Sequence, residues 1–171
     1  MAFTLLMIKP LLAILLLASF GALPTDAKTL PLPDAESAIA SITIPDSWEP
    51  GEIENGVVGT SPDKAVYLAV VGVESEKGMS KEIEDTFAML KEHKVELDQD
   101  SKKENKFKVN GLDAEEMVFA GKDEDGPASV SITFMPIKDK VLVLTYWVTS
   151  AQEAKHSEEV GKILKSIKPK G

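Results

Sequence analysis

Apolar and polar positions along this chain follow three rhythms. Strict alternation occurs at Val130, Ile132 and Phe134, with Ser131 and Thr133 between them. It predicts a strand with one apolar face and one hydroxyl-bearing face. Spacings of three and four recur at Ile83, Phe87 and Leu90, and again at Val160, Ile163, Leu164 and Ile167. They predict two amphipathic helices. Two stretches, Ala65 to Val73 and Val141 to Val148, are apolar without alternation. Strands of that kind must be covered on both faces.

Start, stop and turn residues divide the rest. Ser80 is placed to cap the first helix, which fades near Val95. Ser150 and Glu153 stand at capping-box spacing before the second helix, Lys165 and Lys168 suit its negative end, and Pro169 stops it. Leu97 to Lys106 is charged and aperiodic and reads as an exposed, mobile loop. Asn110-Gly111 suits a two-residue primed turn; Asp123 to Gly126 and Lys138-Asp139 make further turns. Pro136 cannot donate to a ladder, so it belongs at an edge, a bulge or a strand end. Upstream, Ala38 to Ile44 is β-rich, Asp46 to Asn55 is turn-rich and Ser61-Pro62-Asp63-Lys64 makes a turn. The elements number two helices and six or seven strands, mostly joined as hairpins. One helix per face is the simplest cover for the two-sided strands. The expected fold is therefore α+β: a three-layer α/β/α sandwich with a mainly antiparallel sheet.

The start of the chain bears on where it works. An unbroken apolar run, Leu11 to Ala18, follows Lys9, and small residues lead to Thr25-Asp26-Ala27. The run is shorter than the roughly 20 residues that span a bilayer. Residues 1–27 read as a secretory signal peptide, with cleavage expected after Ala27 or, as the alternative, Ala22. Residues 28–37, with Pro31 and Pro33, read as an extended linker. Residues 38–169 form a single domain. The 171-residue chain has no cysteine. That removes disulfides, thiolate metal sites, a cysteine nucleophile and a lipoprotein anchor. An exported chain without disulfides points to a periplasmic or secreted bacterial protein. A formal charge of −9 excludes nucleic acid and anionic membrane surfaces as partners.

Candidate chemistry is sparse. Ser61-x-x-Lys64 has the spacing of penicillin-recognising enzymes, but Pro62-Asp63 reads as a turn and not a helix face, and no companion element is present. Asp123-Glu124-Asp125-Gly126 invites a calcium reading. Setting Gly126 at the sixth position of an EF-hand loop puts Gly121 at the first and Ile132 at the twelfth, where neither can serve. A plain acidic hairpin turn fits better, with weak surface calcium binding as an alternative. His93 and His156 are the only histidines, and both are read as solvated helix-surface residues. A small hydrolase using a serine and His156 is the catalytic alternative. Glu115 and Glu116 are adjacent in a strand and point to opposite faces. Trp48 follows a turn and is either packed or lining a groove. The reading of the residues names no catalytic, cofactor or metal position. It offers Trp48, Glu49, Glu52, Asp98 and Asp100 as a partner surface for a protein or a cell-envelope component.

Three components in this order are familiar: Ile42-Thr43-Ile44-Pro45-x-x-Trp48 near the mature start, the two-sided strand Val141 to Val148, and the closing helix ending Ile163-Leu164-Lys165-Ser166-Ile167-Lys168. The pattern resembles the PsbP-like superfamily, named for an extrinsic photosystem II subunit, over about residues 38–169. The resemblance implies an α/β/α sandwich with an antiparallel sheet. It implies a binding or accessory role and no catalysis. It transfers no functional residue, because the photosystem member's metal-binding positions have no match here. The expectation is an exported, non-catalytic binding or accessory module without cofactor.

Overall fold

The computed structural model describes residues 26–74 and 76–170. The predicted signal peptide lies outside the described residues except for Asp26 and Ala27. In chain order the strands are β1 (Ala27–Leu32), β2 (Ala40–Pro45), β3 (Gly51–Ile53), β4 (Gly56–Thr60) and β5 (Val66–Val73). Helix α1 (Glu76–Glu92) follows, then β6 (Glu96–Leu97), β7 (Lys103–Val109), β8 (Leu112–Asp123), β9 (Gly126–Ile137) and β10 (Lys140–Thr149). Helix α2 (Glu153–Lys165) and β11 (Lys168–Pro169) complete the chain.

An eight-stranded antiparallel sheet runs β3-β4-β5-β10-β9-β8-β6, with β7 also paired to β8. Strand β10 lies between β5 and β9, and its alternate residues enter different cores. Leu142, Leu144, Tyr146 and Val148 join α2's Val160, Ile163 and Leu164 in one cluster. Val143 joins a second cluster with Ile132, against which Met79 and Phe87 of α1 pack. Thr145 on that same face meets Thr86 of α1, hydroxyl to hydroxyl, at 3.3 Å. Successive side chains of a strand point to opposite faces. The dry, two-sided reading of residues 141–148 therefore holds, and each helix draws on a different face of β10.

The α2 face carries a layer that the pattern did not predict. β1, β2 and β11 form a second, three-stranded sheet. The linker reading of residues 28–37 is corrected here, because Leu30 and Leu32 of β1 are 1% and 0% exposed. The two prolines concealed a strand in which Thr29 and Pro31 face outward while the leucines fill the core. Ser166, just past α2, accepts the Thr43 N–H at 2.8 Å and ties the helix to β2. Where this layer crosses β5 the fit is close: a Cβ on Gly72 would lie 2.6 Å from the Pro33 Cβ.

Three local expectations also change. Leu97 to Lys106 is not one open loop: it holds β6, a 3₁₀ turn at Gln99–Ser101 and the start of β7. Lys103 and Lys106 lie on β7, an edge strand, where charge discourages pairing with other chains. Helix α1 begins at Glu76, four residues before Ser80. The capping box of α2 does not form: Gln152 occupies the cap without a side-chain bond, and the Ser150 N–H goes to Pro127 O. The Asn110-Gly111 turn forms as expected, with φ of 48° and 85°. Its Asn110 amide also donates to the carbonyls of Lys165 and Ile167, closing the C-terminal end of α2.

Candidate functional site

The turn Ser61 to Lys64 and the start of α2 meet at one carboxylate. Asp63 Oδ1 accepts the Ser61 hydroxyl at 2.7 Å and the Ala65 N–H at 3.3 Å. Its Oδ2 receives Lys155 Nζ at 2.5 Å and His156 Nε2 at 2.9 Å. Lys155, then Ser61, hold the Asp63 pKa far below its ordinary value. Ser61 Oγ in turn accepts the Val66 N–H at 2.9 Å. His156 is only 5% exposed and its ring meets Trp48 edge-on, centroids 6.3 Å apart. The surface reading of His156 is thus overturned. It stands four residues before Val160 on the apolar stripe, a spacing that marks the buried face. A serine–histidine hydrolase needs the imidazole within reach of the serine hydroxyl as its proton acceptor. In this cluster the carboxylate stands between the two, and Ser61 already donates to it. The geometry is a clamp that fastens α2 to the β4–β5 turn.

The residues offered as a partner surface do not come together. Trp48 is 0% exposed and belongs to the main core, so it presents nothing to a partner. Glu49 and Glu52 are exposed beside β3, one edge of the large sheet; Asp98 and Asp100 are exposed beside β6, the other edge. Six inter-strand steps separate those edges, roughly 29 Å at about 4.8 Å per strand. Asp98 also spends one oxygen on the Asp100 N–H, at 3.1 Å.

The acidic hairpin is internally engaged. Asp123 accepts the Trp147 indole N–H at 3.1 Å and the Asp125 N–H at 2.9 Å, and Glu124 pairs with Lys94 at 2.7 Å. Among the described residues no three His, Asp or Glu side chains converge as a metal site. His93 is exposed near Trp147, centroids 5.9 Å apart. None of the helices among the described residues is long and apolar enough to cross a membrane.

A second polar cluster escaped the sequence reading. Glu116 on β8 points away from exposed Glu115, as expected, but is itself 2% exposed. It accepts the Asn105 amide of β7 at 3.0 Å. Thr133 faces it from β9, while Ser131 stands opposite Tyr146 of β10. Glu153 of α2 acts electrostatically on Tyr146. Burial raises the pKa of both Glu116 and Glu153 above their ordinary value of 4.5. A raised folded-state pKa gives stability that is complete below the ordinary value and is lost as pH rises through the raised one. Glu116→Gln removes that loss. In urea titrations the variant is expected to gain on the wild type as pH rises from about 5 to about 7. A parallel pH dependence of the two would refute the assignment.

No family model matches the sequence, and no curated protein matches it. Solved structures do match. The solution structure of cyanobacterial PsbP (CyanoP) from Synechocystis aligns with a TM-score of 0.56 at 9% identity, over 91% of this chain and 99% of that one. A crystal structure from Bacteroides thetaiotaomicron aligns with a TM-score of 0.57 at 13% identity over 85% of this chain, which spans only 49% of that protein. Similarity at such identity is similarity of fold. The chain has a PsbP-like fold.

Proposed function

We propose that this chain is an exported, non-catalytic binding or accessory module of the bacterial cell envelope. The arrangement at Asp63 carries the reading. The chain's candidate serine and imidazole are both bound to one carboxylate, and both serve to hold α2. The pattern of residues 1–27 supports export, and an exported chain without cysteine fits a bacterial envelope. The partner is a protein or an envelope component, and the exposed acids of the two sheet edges are its separate contact points: Glu49 with Glu52, and Asp98 with Asp100.

A fluorophosphonate probe followed by peptide mass spectrometry tests the absence of serine chemistry. The expected result is no adduct at Ser61 in the folded chain. Ser61→Ala is expected to lose about 1.5–3 kcal/mol of stability, the usual worth of a hydrogen bond to a charged group. A stoichiometric Ser61 adduct that disappears in His156→Gln would overturn the proposal in favour of a hydrolase.

A further inference from the structure

A groove of about 450 Å³ lies on the outer face of the three-stranded sheet, within the roughly 300–1,000 Å³ typical of small-molecule sites. Register places Pro31 of β1, Ser41 of β2 and Lys168 of β11 in one row across it. That row spans about 10 Å, at about 4.8 Å per strand. Lys170 follows Lys168 by two residues, so both ammonium arms leave the same face. The groove's apolar surface comes from Pro31, Ala38, Ala40 and Pro169. Alanine and proline have no rotamer freedom to lose, so this surface is preformed.

The polar groups around it are donors. Among the described residues neither Lys168 nor Lys170 is ion-paired, and the Ser41 hydroxyl has no partner. The Thr29 hydroxyl is already bonded to that of Thr43, at 2.9 Å. No carboxylate lines the groove, although the whole chain carries a formal charge of −9. Its complement is an anion with an apolar body: two ammonium groups and a hydroxyl for the head, alanine and proline for the rest. The open edge of β11 argues against an added peptide strand. The Lys170 N–H bonds back to Ile39 O at 2.7 Å. Backbone groups of successive strand residues point to opposite sides. Pro169 therefore turns to the open edge, where it has no N–H to offer. We propose that this groove binds a small aliphatic anion, its acidic head between Lys168, Lys170 and Ser41 and its chain along Pro31, Ala38 and Pro169. The site is separate from the acids of the two large-sheet edges and takes the opposite charge.

Amide NMR titration of the purified chain with octanoate at low ionic strength tests this. The expected result is saturable shifts centred on Thr29, Ala38, Ser41, Lys168 and Lys170. The Lys168→Gln, Lys170→Gln double variant is expected to bind at least about threefold more weakly, as the loss of two exposed ion pairs allows. Ser41→Ala weakens binding a few-fold, and added salt weakens it further. A Lys77→Gln, Lys91→Gln double variant on α1 binds as the wild type does. No saturable shifts, or shifts centred elsewhere, would overturn the proposal. So would unchanged affinity in the Lys168, Lys170 double variant when circular dichroism shows it folded. Octylamine or 1-octanol binding as tightly as octanoate would also overturn it, and tri-glutamate binding more tightly would do so in favour of an acidic peptide.

Discussion

Trp48→Ala is expected to cost about 3–5 kcal/mol of folding stability, the range for deleting a buried large aromatic. The side chain is 0% exposed and packs among Leu30, Ile44 and Val148 of the main core. It also walls the His156 ring on one side. Its removal therefore opens a cavity next to the Asp63 clamp and loosens the tie of the β4–β5 turn to α2. A loss of this size is a large fraction of the about 5–15 kcal/mol that stabilises an ordinary domain. Trp48→Phe is a different experiment. The indole Nε1 is buried without a partner, and an orphaned buried donor costs about 1–3 kcal/mol. Phenylalanine does not carry that penalty, which offsets the smaller volume it fills. The phenylalanine variant is expected within about 1 kcal/mol of the wild type. Chemical denaturation of both variants separates a packing role from a surface role: a contact residue on the surface would change stability by less than about 0.5 kcal/mol in either case.

The second large effect is expected in β10. Leu144→Ala should cost about 3 kcal/mol and Val143→Ala about 2 kcal/mol, from lost burial plus the cavity left behind. These neighbours are 2% and 1% exposed. They sit in different clusters, Leu144 with α2's residues and Val143 with those packed by α1. In an ordinary sheet with one wet face, only one of two adjacent residues would show such a loss. Comparable m-values for the two variants would show that both report on the same two-state unfolding.

How much of this was legible in the sequence depended on local periodicity. Val160, Ile163, Leu164 and Ile167 placed α2, and unbroken apolarity at Val141 to Val148 placed β10, because each signal lies within one element. The second sheet was not read, although Leu30 and Leu32 alternate correctly with Thr29 and Pro31. Two prolines in seven residues spoke for a linker, and the strand partner that overrides them, β2, pairs across separations of 8 to 18 positions. His156 was misplaced for a different reason. Its i+4 relation to Val160 was visible, but a histidine between lysine and serine reads as solvated until Asp63 is brought beside it. Burial of Glu116 needed Asn105 opposite it, and Asn105 lay in the segment read as loop. Trp48 followed a turn, which fitted a groove as well as a core. The 3₁₀ turn at Asp46–Trp48 directs it inward. Contact between segments apart in the chain decided the first three of these cases, and a local turn decided the fourth.

Native-state amide exchange followed by mass spectrometry tests the organising claim, that one strand is sealed by packing on both sides. Amides of residues 141–148 are expected to exchange only through global unfolding. The short edge strands at residues 51–53 and 96–97 are expected to exchange through local opening, many-fold faster. Residues 141–148 exchanging as fast as those two edges would contradict it.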